Sequence, residues 1–261
     1  MTEYATSTDG TRIAFDRYGS GPAVIFVPAA MQFRAFAPQT GDLAAALAAK
    51  GFTVAVYDRR GRGESVSPGP FSLAAELEDL RALIDAAGGR AGLVGNSSGG
   101  AIALAAASAG LPVTAVALWE VPLDAELGSA GAEFLAGLRE RVEAGDEVGT
   151  IEFYMRDMPP EWLERARKSP AWPVMTAISA TLVPDAEALA WTQTAPHADL
   201  FSPIGVPVLA MYGTEALPLF PPAAEAVAAA VPDGRVATLA GHEHGWDLTE
   251  MTKVLADFLP R

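Results

Sequence analysis

Six short apolar runs rich in β-branched residues recur along the chain, at residues 23–27, 53–57, 92–95, 113–119, 206–212 and 235–239. Ala- and Leu-rich runs of helical character fall between most of them, at residues 41–50, 73–87, 99–109 and 222–230, with a last one at 249–259. This alternation constrains the fold more than any other feature. A strand that is apolar on both faces has to be covered on both faces, and strands alternating with helices meet that need in a parallel sheet with helical layers on either side. Two further segments, 3–7 and 12–18, joined by the turn Thr8-Asp9-Gly10, read as an opening pair of strands. The expected class is α/β, with a mostly parallel eight-stranded sheet.

The rhythm breaks once, between Pro122 and Pro203, where helical segments rich in Met, Trp and acidic residues replace it and no strand is convincing. A stretch of this length cannot be a bare loop inside a compact domain, so it reads as a helical insertion lying over one edge of the sheet. The organisation expected is a core of residues 1–121 and 204–261 with a cap or lid of residues 122–203. With 261 residues, a single core of this kind is near its upper size.

Charge and composition remove several classes of function. Lys and Arg number 18 against 32 Asp and Glu, a formal net charge of -14, which opposes phosphate-tracking and anionic-membrane surfaces. Nucleic-acid and membrane partners are therefore not expected; oligomeric state is left open. Cysteine is absent, so disulfides and thiol chemistry are excluded. The run 91–119 carries no charged residue, but Gly99, Gly100, Gly110 and Pro112 interrupt it, and it reads as strand, helix and strand rather than a membrane span. The first residues have neither the basic head nor the apolar stretch of a secretory signal, and a cytoplasmic location is the expectation.

The sharpest local motif is Gly95-Asn96-Ser97-Ser98-Gly99-Gly100, a Gly-x-Ser-x-Gly pattern placed where a strand should end and a helix begin. A nucleophile on such a turn needs a strained backbone, and its neighbours two before and two after must be tiny because strand and helix approach closely. Without that context the pattern would be an ordinary Gly/Ser-rich connection. Ser108, the competing serine, sits at a helix end among small residues, where it reads as punctuation.

In these residues the chain resembles the α/β-hydrolase superfamily, in its serine-nucleophile branch, over nearly all of its length outside the insertion. Tyr57-Asp58-Arg59-Arg60-Gly61-Arg62-Gly63-Glu64-Ser65 is similar to the family's Asp-x-x-Gly-x-Gly-x-Ser loop after the fourth strand, the turn at Ser97 to its nucleophile elbow, and the insertion after strand 6 to its cap. For Asp58 to Ser65 a bracing role is preferred to direct catalysis.

A serine hydroxyl needs a base, and the chain has 3 His. His197 lies in the insertion; His242 and His244 both fall after the last predicted strand. Gly241-His242 fits the commonest form of the family motif, whereas His244 fits the short distance to the terminal helix and relatives that read Gly-x-x-His, and is preferred. The third member is a carboxylate that orients the imidazole. Where the family usually has Gly-x-x-Asp after strand 7, this chain reads Gly213-Thr214-Glu215-Ala216. Glu120, leaving the apolar strand that ends at Trp119, is preferred over Glu215. The resemblance implies two backbone N–H donors for an oxyanion, from Ser98 and from the loop Pro28-Ala29-Ala30-Met31 that replaces the family's His-Gly; Ala30 is the first choice and Met31 the second. The His-x-His pair has no visible further ligands, so neither a metal nor another cofactor is expected.

These residues lead to the expectation of a cofactor-independent, esterase-like serine hydrolase acting on a small ester, lactone or related carbonyl substrate. The alternative is a ligand-binding or receptor-like homologue with little or no turnover, motivated by the departures at Ala216 and at Pro28-Ala29. Phe153, Tyr154, Met155, Met158, Trp162, Trp172 and Met175 either line an acyl pocket or form the insertion's own core, and periodicity does not decide between the two.

Overall fold

The computed structural model describes residues 1–123 and 127–261; residues 124–126, which the sequence assigns to the insertion, lie outside the described residues. The strands are β1 (Glu3–Thr6), β2 (Arg12–Gly19), β3 (Ala23–Val27), β4 (Thr53–Tyr57), β5 (Ala91–Asn96), β6 (Val113–Trp119), β7 (Val208–Glu215) and β8 (Gly234–His242). They form one sheet in the order β1-β2-β4-β3-β5-β6-β7-β8. β2 is antiparallel to both β1 and β4, and every other pairing is parallel. The α/β class with an eight-stranded, mostly parallel sheet is thus as expected.

Core helices α1 (Pro38–Ala49), α2 (Leu73–Ala86) and α3 (Ser98–Ser108) follow β3, β4 and β5. Between β6 and β7 come α4 (Ala130–Glu143), α5 (Glu147–Tyr154), α6 (Pro160–Lys168), α7 (Trp172–Ala177), α8 (Val183–Trp191) and α9 (His197–Phe201), with no strand among the described residues there. Last come α10 (Phe220–Ala230) and α11 (Leu248–Phe258).

The two faces of the sheet carry separate apolar layers. Ile25, Leu93, Val116 and Leu118 pack with α2 and α3 on one side, and Val24, Phe26, Val94 and Ala117 with α1 and α11 on the other. Successive residues of β3, β5 and β6 therefore point into opposite layers, which is why these strands read as continuous apolar runs. A third cluster, built on Leu138, Ile151, Tyr154, Met155, Leu182 and Ala186, lies among the helices between β6 and β7, and Ala30, Met31 and Phe71 pack against it. The insertion is not wholly separate, since Ala188 of α8 and Phe201 of α9 already belong to the main core.

The last two strands run further than the sequence suggests. Gly213 and Gly241 look like terminators, yet β7 and β8 continue past a register shift to pair Glu215 with His242. His242, expected in a loop, is therefore the last residue of β8.

The loop after β4 braces the sheet. Asp58 accepts the backbone N–H of Arg34 at 2.8 Å and of Glu64 at 2.9 Å, and Ser65 Oγ donates to the Asp58 carbonyl at 2.7 Å while accepting Ala14 N–H at 2.8 Å.

The close approach of α3 to the end of β3 sets the position of the turn between β5 and α3. A Cβ built on Gly99 would lie 2.5 Å from the carbonyl oxygens of both Val27 and Pro28, whereas one built on Gly205 meets nothing within 4 Å. Gly99→Ala should therefore cost roughly 1–3 kcal/mol through forced backbone displacement, and Gly205→Ala less than about 0.5 kcal/mol. Urea denaturation midpoints measure both; equal midpoints for the two variants would contradict this packing.

Candidate active site

β5 ends at Asn96, and α3 begins at Ser98. The whole reversal from strand to helix is made at Ser97, whose backbone sits at φ 53, ψ -130. A side chain there meets its own backbone, so the conformation persists only where surrounding contacts enforce it. Two hydrogen bonds do so: Ser97 N–H donates to the Trp119 carbonyl at 2.8 Å, and the Ser97 carbonyl accepts Gly100 N–H at 2.8 Å. The tiny neighbours are required as expected, since a Cβ on Gly95 would lie 2.5 Å from Gly100 Cα. Ser97 is half-buried while Asn96 and Ser98 beside it are buried, so the turn offers this one side chain to the exterior.

Strain gathers around it. Five non-glycine residues have positive φ among the described residues: Met31, Ser97, Glu120, Glu243 and His244. They follow the C-terminal ends of β3, β5, β6 and β8, the edge where α/β sheets place their ligands. Backbone of this kind costs about 1–3 kcal/mol per residue and clusters at functional sites.

Glu120 leaves β6 directly after Trp119, and its N–H donates to the Met211 carbonyl at 2.9 Å. Its side chain is only 2% exposed, and its Oε2 lies 2.5 Å from His244 Nδ1. Its other oxygen, Oε1, accepts Gly213 N–H at 3.0 Å. An ionised carboxylate can only accept, which puts the proton of a neutral His244 on Nδ1 and leaves Nε2 with a free lone pair. The imidazole is held on other sides too. Its ring stacks on Phe220 at 5.1 Å between centroids and lies 6.0 Å from Trp162, while its backbone carbonyl accepts Trp119 Nε1–H at 3.1 Å. Ser97 and His244 are thus both tied to Trp119, one through its carbonyl and one through its indole, and β5 and β6 pair Asn96 with Trp119 just before the site.

The alternatives weighed from sequence, Glu215 and His242, lie at the ends of β7 and β8. Glu215 and His242 are register partners on β7 and β8, and both are exposed. They line a cavity of about 560 Å³ together with His244, Glu243, Leu217 and Trp162. Trp162, on α6, is the one residue of the insertion's Met and aromatic set that lines this cavity; Tyr154 and Met155 are buried in the insertion's own core, and Phe153, Met158 and Trp172 pack against it. Among the described residues no three His, Asp or Glu side chains converge as metal ligands, and no helix is long and apolar enough to cross a membrane.

The Ala30 N–H, expected beside the oxyanion, donates to Ser98 Oγ at 3.1 Å. Ser98 Oγ in turn donates to Asp185 Oδ1 at 2.6 Å. Arg59 Nη1 and Arg62 Nη2 bind the same carboxylate at 2.7 and 2.9 Å, all three side chains being fully buried. Burial alone would raise the Asp185 pKa, but the two guanidiniums outweigh it and hold the carboxyl below its usual range. Sequence reasoning missed Asp185, although it is the first charged residue after an uncharged run at 169–184.

Comparison with known proteins agrees with this fold. The model of the alpha/beta hydrolase family matches residues 24–258. A solved alpha/beta hydrolase from Sphaerobacter thermophilus is 35% identical, with a TM-score of 0.84 over 98% of this chain and 99% of that one. A thermophilic esterase from Thermogutta terrifontis is 25% identical, with a TM-score of 0.67 over 98% of this chain and 96% of the other. An enol-lactonase from Burkholderia xenovorans shares the fold at 22% identity and a TM-score of 0.63, covering 98% of this chain and 99% of its own. No curated protein matches the sequence. With the family model spanning most of its length, the chain belongs to the alpha/beta hydrolase family.

Proposed function

We propose that this protein is a cofactor-independent serine hydrolase acting on small ester or lactone substrates, with Ser97 as nucleophile, His244 as base and Glu120 as the orienting acid. The observation that carries this reading is the Glu120–His244 contact at 2.5 Å in loops whose backbone is strained on both sides. The names of two solved relatives, an esterase and an enol-lactonase, are in keeping with it.

In this mechanism His244 Nε2 removes the Ser97 hydroxyl proton as Oγ attacks the substrate carbonyl carbon. Glu120 keeps the imidazole in the tautomer that exposes Nε2 and stabilises the imidazolium that forms. The tetrahedral oxyanion is received by the N–H of Ser98, at the first position of α3, and by the N–H of Met31 rather than that of Ala30. Met31 sits at φ 60, one residue past the amide that Ser98 Oγ holds. His244 then protonates the leaving alkoxide, and water, deprotonated by the same imidazole, cleaves the acyl-enzyme. The helices between β6 and β7 act as the cap, with Trp162 over His244 as their contribution to the pocket wall.

Two outcomes test the reading. Purified protein should hydrolyse short p-nitrophenyl esters and be labelled by a fluorophosphonate, and Ser97→Ala should abolish both; a protein that is neither active nor labelled, or a label that survives Ser97→Ala, would contradict it. Glu120→Gln should lower kcat by about 10³–10⁴-fold, because an amide no longer selects the productive tautomer. Glu215→Gln should change kcat by less than about tenfold, the range of a nearby rather than a reacting group. If Glu215→Gln proved the more damaging of the two, the acid would have been misassigned.

A further inference from the structure

Beside the backbone N–H proposed for the oxyanion, Ser98 carries a buried and hydrogen-bonded hydroxyl. A hydroxyl has one proton to give and two lone pairs to fill. The Asp185 carboxylate can only accept, so the Ser98 proton goes to Asp185 Oδ1, at 2.6 Å. One lone pair accepts the Ala30 N–H at 3.1 Å. One small side chain thereby joins the first turn of α3, the loop after β3 and helix α8.

Asp185 reaches the same loop by a second route. Arg62 Nη2 binds Asp185 Oδ2 at 2.9 Å, and Arg62 Nη1 donates to the Ala29 carbonyl at 2.9 Å and to the Gln32 carbonyl at 3.3 Å. The segment from Ala29 to Gln32, which carries Met31 in its strained conformation, is held at its ends by Arg62 and in its middle by Ser98. Both of these are fixed by one carboxylate.

A purely stabilising role accounts poorly for this construction. Fully buried ion pairs contribute little net stability compared with apolar side chains of the same shape, since desolvation offsets most of the attraction. A buried ionic hub does fix geometry, because each hydrogen bond it makes has a direction, and any displaced partner leaves a charge unpaired. The two peptide segments whose mutual position Asp185 fixes are those that supply the oxyanion donors.

We propose that Asp185, contributed by the inserted helix α8, is a positioning residue for the oxyanion hole, acting through Ser98 Oγ and Arg62 on the Ala29–Gln32 segment. This rests on the reading of Ser97 as the acylated nucleophile. It makes α8 part of the fixed frame of the site: the insertion does not merely cover the reaction centre but sets the spacing of its donors. Asp185 itself touches no reacting atom.

Ser98→Ala tests this most cleanly, since it deletes the hydroxyl and keeps both the backbone N–H and the Arg59–Asp185–Arg62 ion pairs. Asp185→Asn is the companion, placing an amide donor against a guanidinium. Each should lower kcat/KM by at least about tenfold, mainly through kcat, as expected when a donor in the hole is displaced rather than removed. The affinity for phenylboronic acid, which forms a tetrahedral adduct on a nucleophilic serine, should weaken by the same factor as kcat/KM. KM and the pH profile of the surviving activity should stay near wild type. Should Asp185→Asn fail to fold, Ser98→Ala carries the test. Variants that are less thermostable but equal to wild type in kcat and boronate affinity would overturn the proposal and leave the serine-hydrolase reading intact. A wild-type protein that Ser97-directed reagents do not label would overturn both.

Discussion

The site depends on a single constraint: strand β5 has to become helix α3 across one residue, in contact with β3. Gly95 and Gly99 make the approach possible, because a side chain on either would overlap neighbouring backbone. Ser97 absorbs the change of direction at φ 53, ψ -130. The turn leaves Ser97 half-buried beside the first residue of α3, Ser98. A helix N-terminus next to a half-buried hydroxyl is an environment that favours developing negative charge.

The neighbouring strands supply the rest by register. β6 pairs with β5 so that Trp119 stands beside Asn96, which brings Glu120 to the same edge as Ser97. β7 pairs with β6 so that Met211 receives the Glu120 N–H, and Gly213 a little further on donates to its carboxylate. His244 reaches that carboxylate from the loop after β8, steadied by Trp119, Phe220 and Trp162. The backbone strain at Glu120, Glu243 and His244 is localised where it aims these side chains, and it is opposed by the buried aromatic and aliphatic packing behind the strand ends.

Much of this was legible in the chain itself. Strands buried on both faces announce themselves as continuous apolar runs, and a lone acid directly after such a run, Glu120, stood out because nothing about solubility required it there. The elbow glycines were legible for the same reason, since steric contact leaves no other residue. What could not be read depended on distant partners. Arg59 and Arg62 meet Asp185 across separations of 126 and 123 residues, and Ser98 meets it across 87. No local pattern encodes those contacts, and the commitment of the Ala30 N–H to Ser98 follows from them. The ends of β7 and β8 were missed because Gly213 and Gly241 resemble strand terminators, while the pairing that carries the strands beyond them is a property of the sheet.

In the proposed mechanism Ser97 attacks a carbonyl whose oxygen is received by the N–H groups of Ser98 and Met31. The decisive experiment is a crystal structure of the protein after reaction with a small alkyl phosphonate. The phosphorus should be bonded to Ser97 Oγ, with the phosphoryl oxygen at about 3 Å from both nitrogens. A phosphonate carried by any other residue, or a phosphoryl oxygen turned away from those two amides, would contradict it.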